Sequence, residues 1–271
     1  MKLAIVQMNV FIDKDKNLDS MKGFVKKAAE AGADIAVLPE MFNCPYSNDH
    51  FARYAEKAGD ESYTALSHAA SSNGLYVVGG SMPELDGDNV YNTSFVFDRK
   101  GNQIARHRKV HLFDIDIKGK QRFFESETFK AGEDITVFDT EFGKMGLMIC
   151  FDIRFPEICR LTALKGAQVL FVPAAFGMIT GPLHWELLYR LRAVDNQIFT
   201  VGASPARDEN GVYVAYGNSM VVDPWGNPLY RADAQEEMGV VELDLSEIGR
   251  VREELPLINV MRSDVYNIEC L

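Results

Sequence analysis

The sequence contains few of the residues with which small proteins bind metal ions or form disulfides. Only four of the 271 residues are cysteine, and no two cysteines have the spacing of a CxxC motif. Zinc-ribbon and thioredoxin-type sites therefore lack their minimal ligand pattern. A chain of this length can bury roughly three quarters of its unfolded surface, so it needs no such cross-link. We therefore expect no metal and no cofactor.

Long hydrophobic runs and positive charge are also scarce. Nowhere do about 18 consecutive apolar residues appear, and residues 1–17 make a poor secretory signal, so a reducing cytoplasmic location is expected. Lys and Arg number 28 against 39 Asp and Glu, which gives a net charge of −11. This charge argues against nucleic acid or an anionic membrane as a general partner. A small-molecule substrate remains, and it can be anionic if one arginine contacts it.

Strand-like and helix-like segments alternate along the chain. No linker, repeat or change of composition divides it, so we predict one α/β domain over residues 1–271, with mixed sheets packed between helices and a C-terminal tail from about 255. Strands are predicted at 3–8, 34–40, 75–80, 91–98, 103–109, 136–138, 144–150, 167–173, 197–204, 212–223 and 239–244. Helices are predicted at 17–31, 50–58, 63–72, 156–165 and 182–195. The polar segment 111–133 has no periodicity, and irregular segments of that length are often functional.

One thiol lies where an apolar run gives way to polar residues. Cys150 ends the run Gly146-Leu-Met-Ile-Cys150 and precedes Phe-Asp-Ile-Arg-Phe-Pro. A free cysteine is often a buried packing residue, and this segment alone leaves that interpretation open. A turn between a strand and a helix would instead expose the thiol and stabilise its thiolate. Cys159 is expected to pack inside the next helix, and nothing around Cys44 or Cys270 recommends them.

Two charged residues also end strand-like segments. Glu40 closes the run Asp34-Ile-Ala-Val-Leu-Pro-Glu40, and Lys109 ends the second strand of a predicted antiparallel hairpin. The carboxylate can simply mark a loop, and the lysine can belong to a solvated basic face. In α/β sheets, however, ligands bind outside the carboxyl ends of strands. A partly desolvated Glu at such an end can act as a base near neutral pH.

Together the three residues supply a nucleophile, a base and a fixed cation, which are the parts that acyl transfer requires. The segments that carry them resemble the Glu–Lys–Cys signature of the nitrilase superfamily in content, order and separation. These segments are Leu38-Pro-Glu40, Arg108-Lys109-Val-His-Leu-Phe and Ile149-Cys150-Phe-Asp-Ile-Arg-Phe-Pro. The similarity runs over nearly the whole chain, including 217–226. Within the superfamily, segments 111–116, 119–120, 180–188, 192–196 and 203–208 resemble the omega-amidase branch.

The resemblance implies a fold, an activity and an assembly. The fold would be a four-layer α-β-β-α sandwich with two mixed β-sheets between helices. Glu40 would take the proton of Cys150, Lys109 would stabilise the oxyanion, and a cysteinyl thioester would form and be hydrolysed without a metal. An accessory glutamate would be Glu125, with Glu127 as the nearby alternative. Homodimers or larger assemblies built across a helical face are implied as well.

The omega-amidase resemblance further implies a small dicarboxylic monoamide such as alpha-ketoglutaramate, alpha-ketosuccinamate or succinamate. Arg154 follows Cys150 by four residues, and its planar fork suits the distal carboxylate of such a substrate, although it can also pair with a structural Asp or Glu. Tyr46 and Thr180 are hydroxyl-bearing candidates for substrate binding. Whether His184, at the start of an amphipathic helix, packs or binds stays open.

Several rival functions remain. An amidase acting on deaminated glutathione, a nitrilase and an N-carbamoyl-amide hydrolase would use the same scaffold. A catalytically silent binding module would have lost at least one of the three residues, and all three are present. A metallohydrolase has little support, because the five histidines are scattered along the chain.

Overall fold

The computed structural model describes residues 1–269, so Cys270 lies outside the described part. Within that range the chain forms helices and strands in a largely alternating order. The helices are α1 (Lys14–Glu30), α2 (Asn48–Tyr54), α3 (Glu61–Asn73), α4 (Pro156–Leu164), α5 (Gly181–Asn196) and α6 (Glu247–Glu254). The strands are β1 (Lys2–Gln7), β2 (Ile35–Val37), β3 (Tyr76–Val78), β4 (Met82–Asp86), β5 (Asn89–Phe97), β6 (Gln103–Arg108), β7 (Asp114–Ile117), β8 (Gln121–Phe124), β9 (Thr136–Thr140), β10 (Gly143–Leu147), β11 (Val169–Pro173), β12 (Phe199–Ala203), β13 (Met220–Val222), β14 (Pro228–Arg231) and β15 (Glu237–Glu242).

Most of the first half of the chain builds a seven-stranded mixed sheet. Its order is β15-β1-β2-β3-β5-β4, and β6 pairs with β5. The strands β1, β2 and β3 run parallel, while β15, β4, β5 and β6 pair antiparallel with their neighbours. In the predicted hairpin, Thr93 of β5 pairs with Arg108 of β6. Lys109 therefore lies one residue beyond the last pair, where the strand has just ended.

The second half of the chain builds a six-stranded mixed sheet in the order β14-β13-β12-β11-β10-β9. Its central strands β10, β11 and β12 are parallel, and the outer strands pair antiparallel. The short strands β7 and β8 form a separate hairpin. The two large sheets each have parallel central strands, whose carboxyl ends can gather residues for a site.

Buried residues of one strand alternate between two different hydrophobic cores, which defines four layers. Ala4 and Val6 of β1 belong to a core shared with α1 and α3, whereas Leu3 and Ile5 face the second sheet. Successive strand residues point to opposite faces, so β1 is covered on both sides. A third core joins the far face of the second sheet to α4 and α5, with Trp185 fully buried in it. The expected α-β-β-α sandwich is confirmed.

The outer helices present one apolar stripe to the sheets. In α1 the buried residues Leu18, Met21, Val25 and Ala28 recur at helical spacing, and the side chain of Asp13 caps the amino end by accepting from Lys16 N. This arrangement buries one face and leaves the other in water. In the part of the chain that is described, no helix is long and apolar enough to cross a bilayer.

The structure corrects the sequence interpretation in three places. Residues 212–219 are not a strand, since only β13 forms within the predicted 212–223 segment. Segment 111–133 contains the β7–β8 hairpin, whose residues are exposed or partly buried. The elements β4, β14 and α6 were not predicted at all. From residue 255 to residue 269 the chain contains no helix or strand.

Candidate active site

Three strand ends from different parts of the sequence meet between the sheets. Glu40 lies three residues after β2, Lys109 directly follows β6, and Cys150 lies three residues after β10. The side chains of Glu40 and Lys109 are fully buried, and Cys150 is 4% exposed. The structure thus brings together the three residues that the sequence singled out.

The backbone is strained at Cys150 and at the residue that follows Glu40. Cys150 has φ 47° and Met41, next to Glu40, has φ 54°, which are left-handed conformations that non-glycine residues seldom adopt. Cys150 begins a 3₁₀ turn, Cys150–Arg154, that precedes α4. The sequence predicted a strand up to Cys150, but β10 stops at Leu147. The thiol is therefore carried by a sharp turn, the kind of strained position that clusters at functional sites.

A buried ion cluster lies beside the thiol. Lys109 Nζ is 3.0 Å from Glu40 Oε1 and 2.9 Å from Glu125 Oε2. All three side chains are inaccessible to solvent. Glu127, by contrast, is exposed, and its Oε2 accepts a hydrogen bond from Asn48. Glu125, and not Glu127, therefore belongs to the buried cluster.

Fixed donors hold both carboxylates in place. The amide of Ala175 donates to Glu40 Oε2 at 2.7 Å, and the amide of Phe113 donates to Glu125 Oε2 at 2.7 Å. The hydroxyl of Tyr46 donates to Glu125 Oε1 at 2.6 Å. Buried carboxylates need such donors, because these hydrogen bonds replace the ones that water makes with an exposed carboxylate. The two acids consequently have defined orientations toward Lys109.

Asn92 is a member of this cluster that sequence reasoning missed. Its Nδ2 donates to Glu40 Oε1 at 2.9 Å and lies 3.5 Å from Glu125 Oε1. Its backbone carbonyl accepts from Lys109 N. The only sign of its importance is that a polar residue in a hairpin strand is fully buried. This burial becomes visible only when the pairing of the strands is known. Asn92 links the base, the accessory acid and the lysine backbone.

The protonation states follow from burial and charge. Burial raises the pKa of the Cys150 thiol well above its ordinary value, and the nearby charge of Glu40 raises it further. Burial also raises the pKa of Glu40, and Glu125 adds to this although Lys109 opposes it. Burial would lower the pKa of Lys109, but the charges of Glu125 and Glu40 hold it well above its ordinary value. The resting site therefore contains a neutral thiol, a charged ammonium and a Glu40 with increased proton affinity.

The turn that carries Cys150 is tied to the strand that carries Lys109. Asp152 accepts from the ring of His107 at 3.1 Å, from the ring of His111 at 2.9 Å and from the His111 amide at 2.8 Å. It also accepts from the amide of Ile149. The two histidines lie four residues apart in the sequence, and both contact this one carboxylate. This buried hub fixes the position of the thiol relative to the ammonium.

The hub yields a pH-dependent stability prediction. Burial opposes the charge of Asp152, but hydrogen bonds from His107 and His111 hold its pKa well below its usual range. The stabilisation is therefore complete above the ordinary Asp pKa of about 4 and is lost as the pH falls through the depressed folded-state pKa. We expect Asp152→Asn to lower the free energy of unfolding by about 2–4 kcal/mol at pH 7.

Urea unfolding of both proteins at pH 7 and below pH 4 checks this prediction. The difference in unfolding free energy between the two proteins should narrow at the lower pH. A difference that stays constant, or that grows on acidification, would contradict the assignment of an ionised, bonded Asp152.

A cavity of about 380 Å³ opens onto the cluster. Glu40, Tyr46 and Tyr213 contribute to its wall, and apolar side chains such as Phe11 and Val212 line its outer part. The Tyr213 ring lies 4.8 Å from the Tyr46 ring, and its hydroxyl donates to Ala175 O at 2.8 Å. Sequence reasoning missed Tyr213 because it placed this residue in a strand. The cavity provides a small, largely apolar route to the acids.

The remaining predicted residues have different positions. Tyr46 lines the cavity, as described. Arg154 ends the 3₁₀ turn and lies over the ring of Phe176, 4.6 Å from its centroid, although it is not among the lining residues of the cavity. Thr180 lies at the start of α5, where its carbonyl accepts from the His184 amide, and the described structure shows no contact between it and the acids. Arg154 thus belongs to the turn that begins at Cys150, and Thr180 precedes the first residue of α5.

Several known proteins are similar to this chain in sequence and in structure. The family model described as carbon-nitrogen hydrolase matches residues 2–253. The Xenopus laevis protein "Omega-amidase NIT2-A" is 48% identical over 268 residues, which are 99% of this chain and 97% of that protein. The crystal structure of Saccharomyces cerevisiae Nit3, "a member of branch 10 of the nitrilase superfamily", has a TM-score of 0.89 and 42% identity, and the match covers 97% and 96% of the two chains. A point mutant of the amidase from Nesterenkonia sp. AN1, described as "showing covalent addition of the acetamide moiety of fluoroacetamide at the active site cysteine", has a TM-score of 0.77 and 25% identity over 98% of this chain and 95% of that one.

The chain belongs to the carbon–nitrogen hydrolase family of the nitrilase superfamily. Its similarity to named omega-amidases over nearly its full length makes it an amidase of the omega-amidase-like branch. The predictions of superfamily, fold and enzyme class are confirmed.

Proposed function

We propose that the protein hydrolyses the terminal amide of small dicarboxylic monoamides, namely alpha-ketoglutaramate, alpha-ketosuccinamate and succinamate, to the acid and ammonia. The supporting observation is the Cys150 turn, which has the buried Glu40–Lys109–Glu125 cluster close to the thiol and the Arg154 guanidinium at its other end. The first part suits amide chemistry, and the second suits a distal carboxylate.

The attack step follows from the protonation states. A neutral thiol is a poor nucleophile, and a thiolate beside two carboxylates would be disfavoured. Transfer of the Cys150 proton to Glu40 as sulfur attacks the amide carbon leaves the net charge of the site unchanged. Glu40 suits this role because its raised pKa increases its affinity for the proton. The thiol and the base act as one unit.

Lys109 and backbone amides would complete the reaction. As sulfur bonds to carbon, the carbonyl oxygen becomes an oxyanion, which the Lys109 ammonium and the amide of Phe151 stabilise. Glu40 then returns its proton to the departing ammonia, and the C–N bond breaks to leave a thioester on Cys150. Water then transfers a proton to a glutamate as its oxygen bonds to the thioester carbon. The C–S bond breaks, the proton returns to the Cys150 sulfur, and the acid is released. Glu125 keeps Lys109 charged and oriented throughout.

The case for a carboxylate-bearing substrate rests on Arg154. Within the described residues no carboxylate pairs with it, and its buried Nε has no hydrogen-bond partner. Burial lowers the pKa of this guanidinium, so the surroundings disfavour an isolated charge there. An anionic group of the substrate would satisfy the cation with the bidentate geometry that arginine favours. The alternative pairing with a structural Asp or Glu has no support in the contacts.

Arg154→Ala tests the substrate assignment. We expect the KM for succinamate to rise by roughly 100-fold, because a charged hydrogen-bonded pair contributes about 3 kcal/mol. The KM for butyramide, which has no carboxylate, should stay within about twofold of the wild type. Both constants come from ammonia release under steady-state conditions. An equal loss on both amides would contradict the carboxylate anchor.

A substrate panel separates the proposal from rival functions. Ammonia release from alpha-ketoglutaramate and succinamate should exceed that from deaminated glutathione, a nitrile and an N-carbamoyl amino acid. Preference for any of the last three would assign the corresponding rival function. An absence of turnover on every compound would favour a binding module.

The same proposal includes a homodimer formed by one domain in a reducing cytoplasm. The exposed leucines Leu183, Leu187 and Leu191 follow one another by one helical turn on α5. An exposed apolar stripe of this kind can pack against its own copy across a two-fold axis. A solution mass twice that of one chain is the expected result. A monomeric mass would exclude the dimer.

A further inference from the structure

The Arg154 guanidinium contacts His184, a residue with no role in the proposed reaction. Arg154 Nη1 lies 3.1 Å from Nδ1 of His184, a residue in the first turn of α5. The contact joins the 3₁₀ turn that begins at Cys150 to the helix on the outer face of the second sheet. Both side chains are partly buried. The pair therefore links the turn that begins at Cys150 to α5.

The hydrogen-bonding capacity of arginine determines the tautomer of His184. A guanidinium can only donate hydrogen bonds, so Nδ1 of His184 must accept and the ring proton must be on Nε2. Burial and the charge of Arg154 both lower the pKa of His184, which agrees with a neutral ring. His184 is thus a neutral acceptor for a charged donor. It orients the guanidinium without cancelling the positive charge.

The other contacts of Arg154 explain why this neutrality matters. The guanidinium lies over the rings of Phe176 and Phe151, at 4.6 and 5.5 Å from their centroids, and its buried Nε has no partner within residues 1–269. Aromatic faces support a cation but do not fix the direction of its N–H groups. His184 supplies the one directional contact of the guanidinium with a side chain that is described.

We infer that His184 is a positioning residue for substrate specificity, which holds the fork of Arg154 toward the distal carboxylate of the substrate. This inference rests on the proposed function, since it requires Arg154 to contact that carboxylate. An acidic side chain at this position would pair with Arg154 and compete with the substrate. An apolar side chain at position 184 would leave the guanidinium without a hydrogen bond to orient it. A neutral acceptor would preserve that hydrogen bond.

Three substitutions separate these effects. His184→Asn keeps an acceptor oxygen near the position of Nδ1, His184→Leu removes the acceptor, and His184→Glu adds a competing anion. Relative to wild type, we expect the KM for succinamate to rise by about 10-fold in His184→Leu and by about 100-fold in His184→Glu, and by less than about threefold in His184→Asn. The kcat for succinamate and both constants for butyramide should change by less than about twofold in all three.

A rise in KM for succinamate alone, with kcat unchanged, excludes a merely structural effect. A structural effect would change the kinetic constants for both succinamate and butyramide. His68→Leu, a substitution of an exposed histidine in α3, is the control and should change nothing. If His184→Leu does not fold, the comparison of His184→Asn with His184→Glu still decides, because their predicted KM values differ by more than about 10-fold.

The outcomes distinguish this inference from the proposed function. If Arg154→Ala raises the KM for succinamate while His184→Leu and His184→Glu do not, the role of His184 is wrong and the anchor stands. If Arg154→Ala also spares succinamate, the anchor is wrong and the role of His184 falls with it. Rescue by His184→Asn alone among the three variants supports the inference.

Discussion

Cys150→Ala is expected to abolish ammonia release from succinamate, with a loss in kcat of at least about 10⁴-fold. Removal of a catalytic nucleophile has an effect of this order, because the remaining binding groups provide only a small residual rate. The substitution removes one buried sulfur atom and leaves the Glu40–Lys109–Glu125 cluster intact. The thermal unfolding midpoint should therefore stay close to that of the wild type.

Cys159→Ala is the matched control for this prediction. Cys159 is also a free and fully buried thiol, in α4, and burial raises the pKa of its thiol to about 12. Its sulfur contacts the sulfur of Met148 rather than the acids. The control should retain wild-type kcat at some cost in stability. Turnover retained by Cys150→Ala, or lost by Cys159→Ala alone, would refute the assignment of the nucleophile.

Glu40→Gln is expected to lower kcat by roughly 10³-fold while leaving the KM for succinamate within about threefold, since general base catalysis typically contributes 10²–10⁴-fold. The amide keeps the size of the side chain, and its oxygen can still accept from the Ala175 amide, although its NH2 group then faces the donors of Lys109 and Asn92. The substitution removes the group that takes the thiol proton and returns it to ammonia. Steady-state ammonia release measures both constants.

The pH profile provides a second readout for Glu40. Its raised pKa means that wild-type activity should fall as the pH is lowered through that value, because the protonated acid cannot act as a base. In Glu40→Gln this acidic limb should disappear from the residual activity. Glu56→Gln, which alters a mostly buried carboxylate paired with Lys14, is the control and should keep the limb. An unchanged acidic limb in Glu40→Gln would assign the base to another residue.

The sequence predicted the reactive residues because each one ends a strand-like segment. Glu40, Lys109 and Cys150 follow β2, β6 and β10, and strand ends are recognisable from local hydrophobicity. Their proximity was not derivable from any single segment. It came from the combination of residue types and from the family resemblance, and the structure brings all three together.

The residues that support the site depend on distant pairing, so the sequence did not reveal them. Asn92 contacts Glu40 across 52 positions of the chain, and Asp152 contacts His107 across 45. Contacts of this kind are set by sheet register and by the packing of one sheet on the other. No local pattern at Asn92 or at Asp152 encodes them. The pairing of Arg154 with His184, 30 positions apart, has the same origin.

The wrong strand prediction at 212–219 has a local cause. Gly217 and Asn218 have φ values of 69° and 60°, so two consecutive left-handed residues interrupt the extended backbone before β13. The apolar and aromatic residues upstream of them suggested a strand, but Tyr213 instead turns toward Ala175 and the cavity. Tertiary contacts outweighed β-propensity there.

The most direct test of the account is to quench wild-type enzyme rapidly during turnover of succinamate and analyse its peptides by mass spectrometry. If a thioester forms on Cys150, the peptide that contains this residue should carry one succinyl group. The group should form together with one ammonia per active site and should be lost on a longer incubation. The same adduct should be absent from Cys150→Ala. Ammonia released without any acyl adduct, or an adduct on a different residue, would contradict a thioester on Cys150.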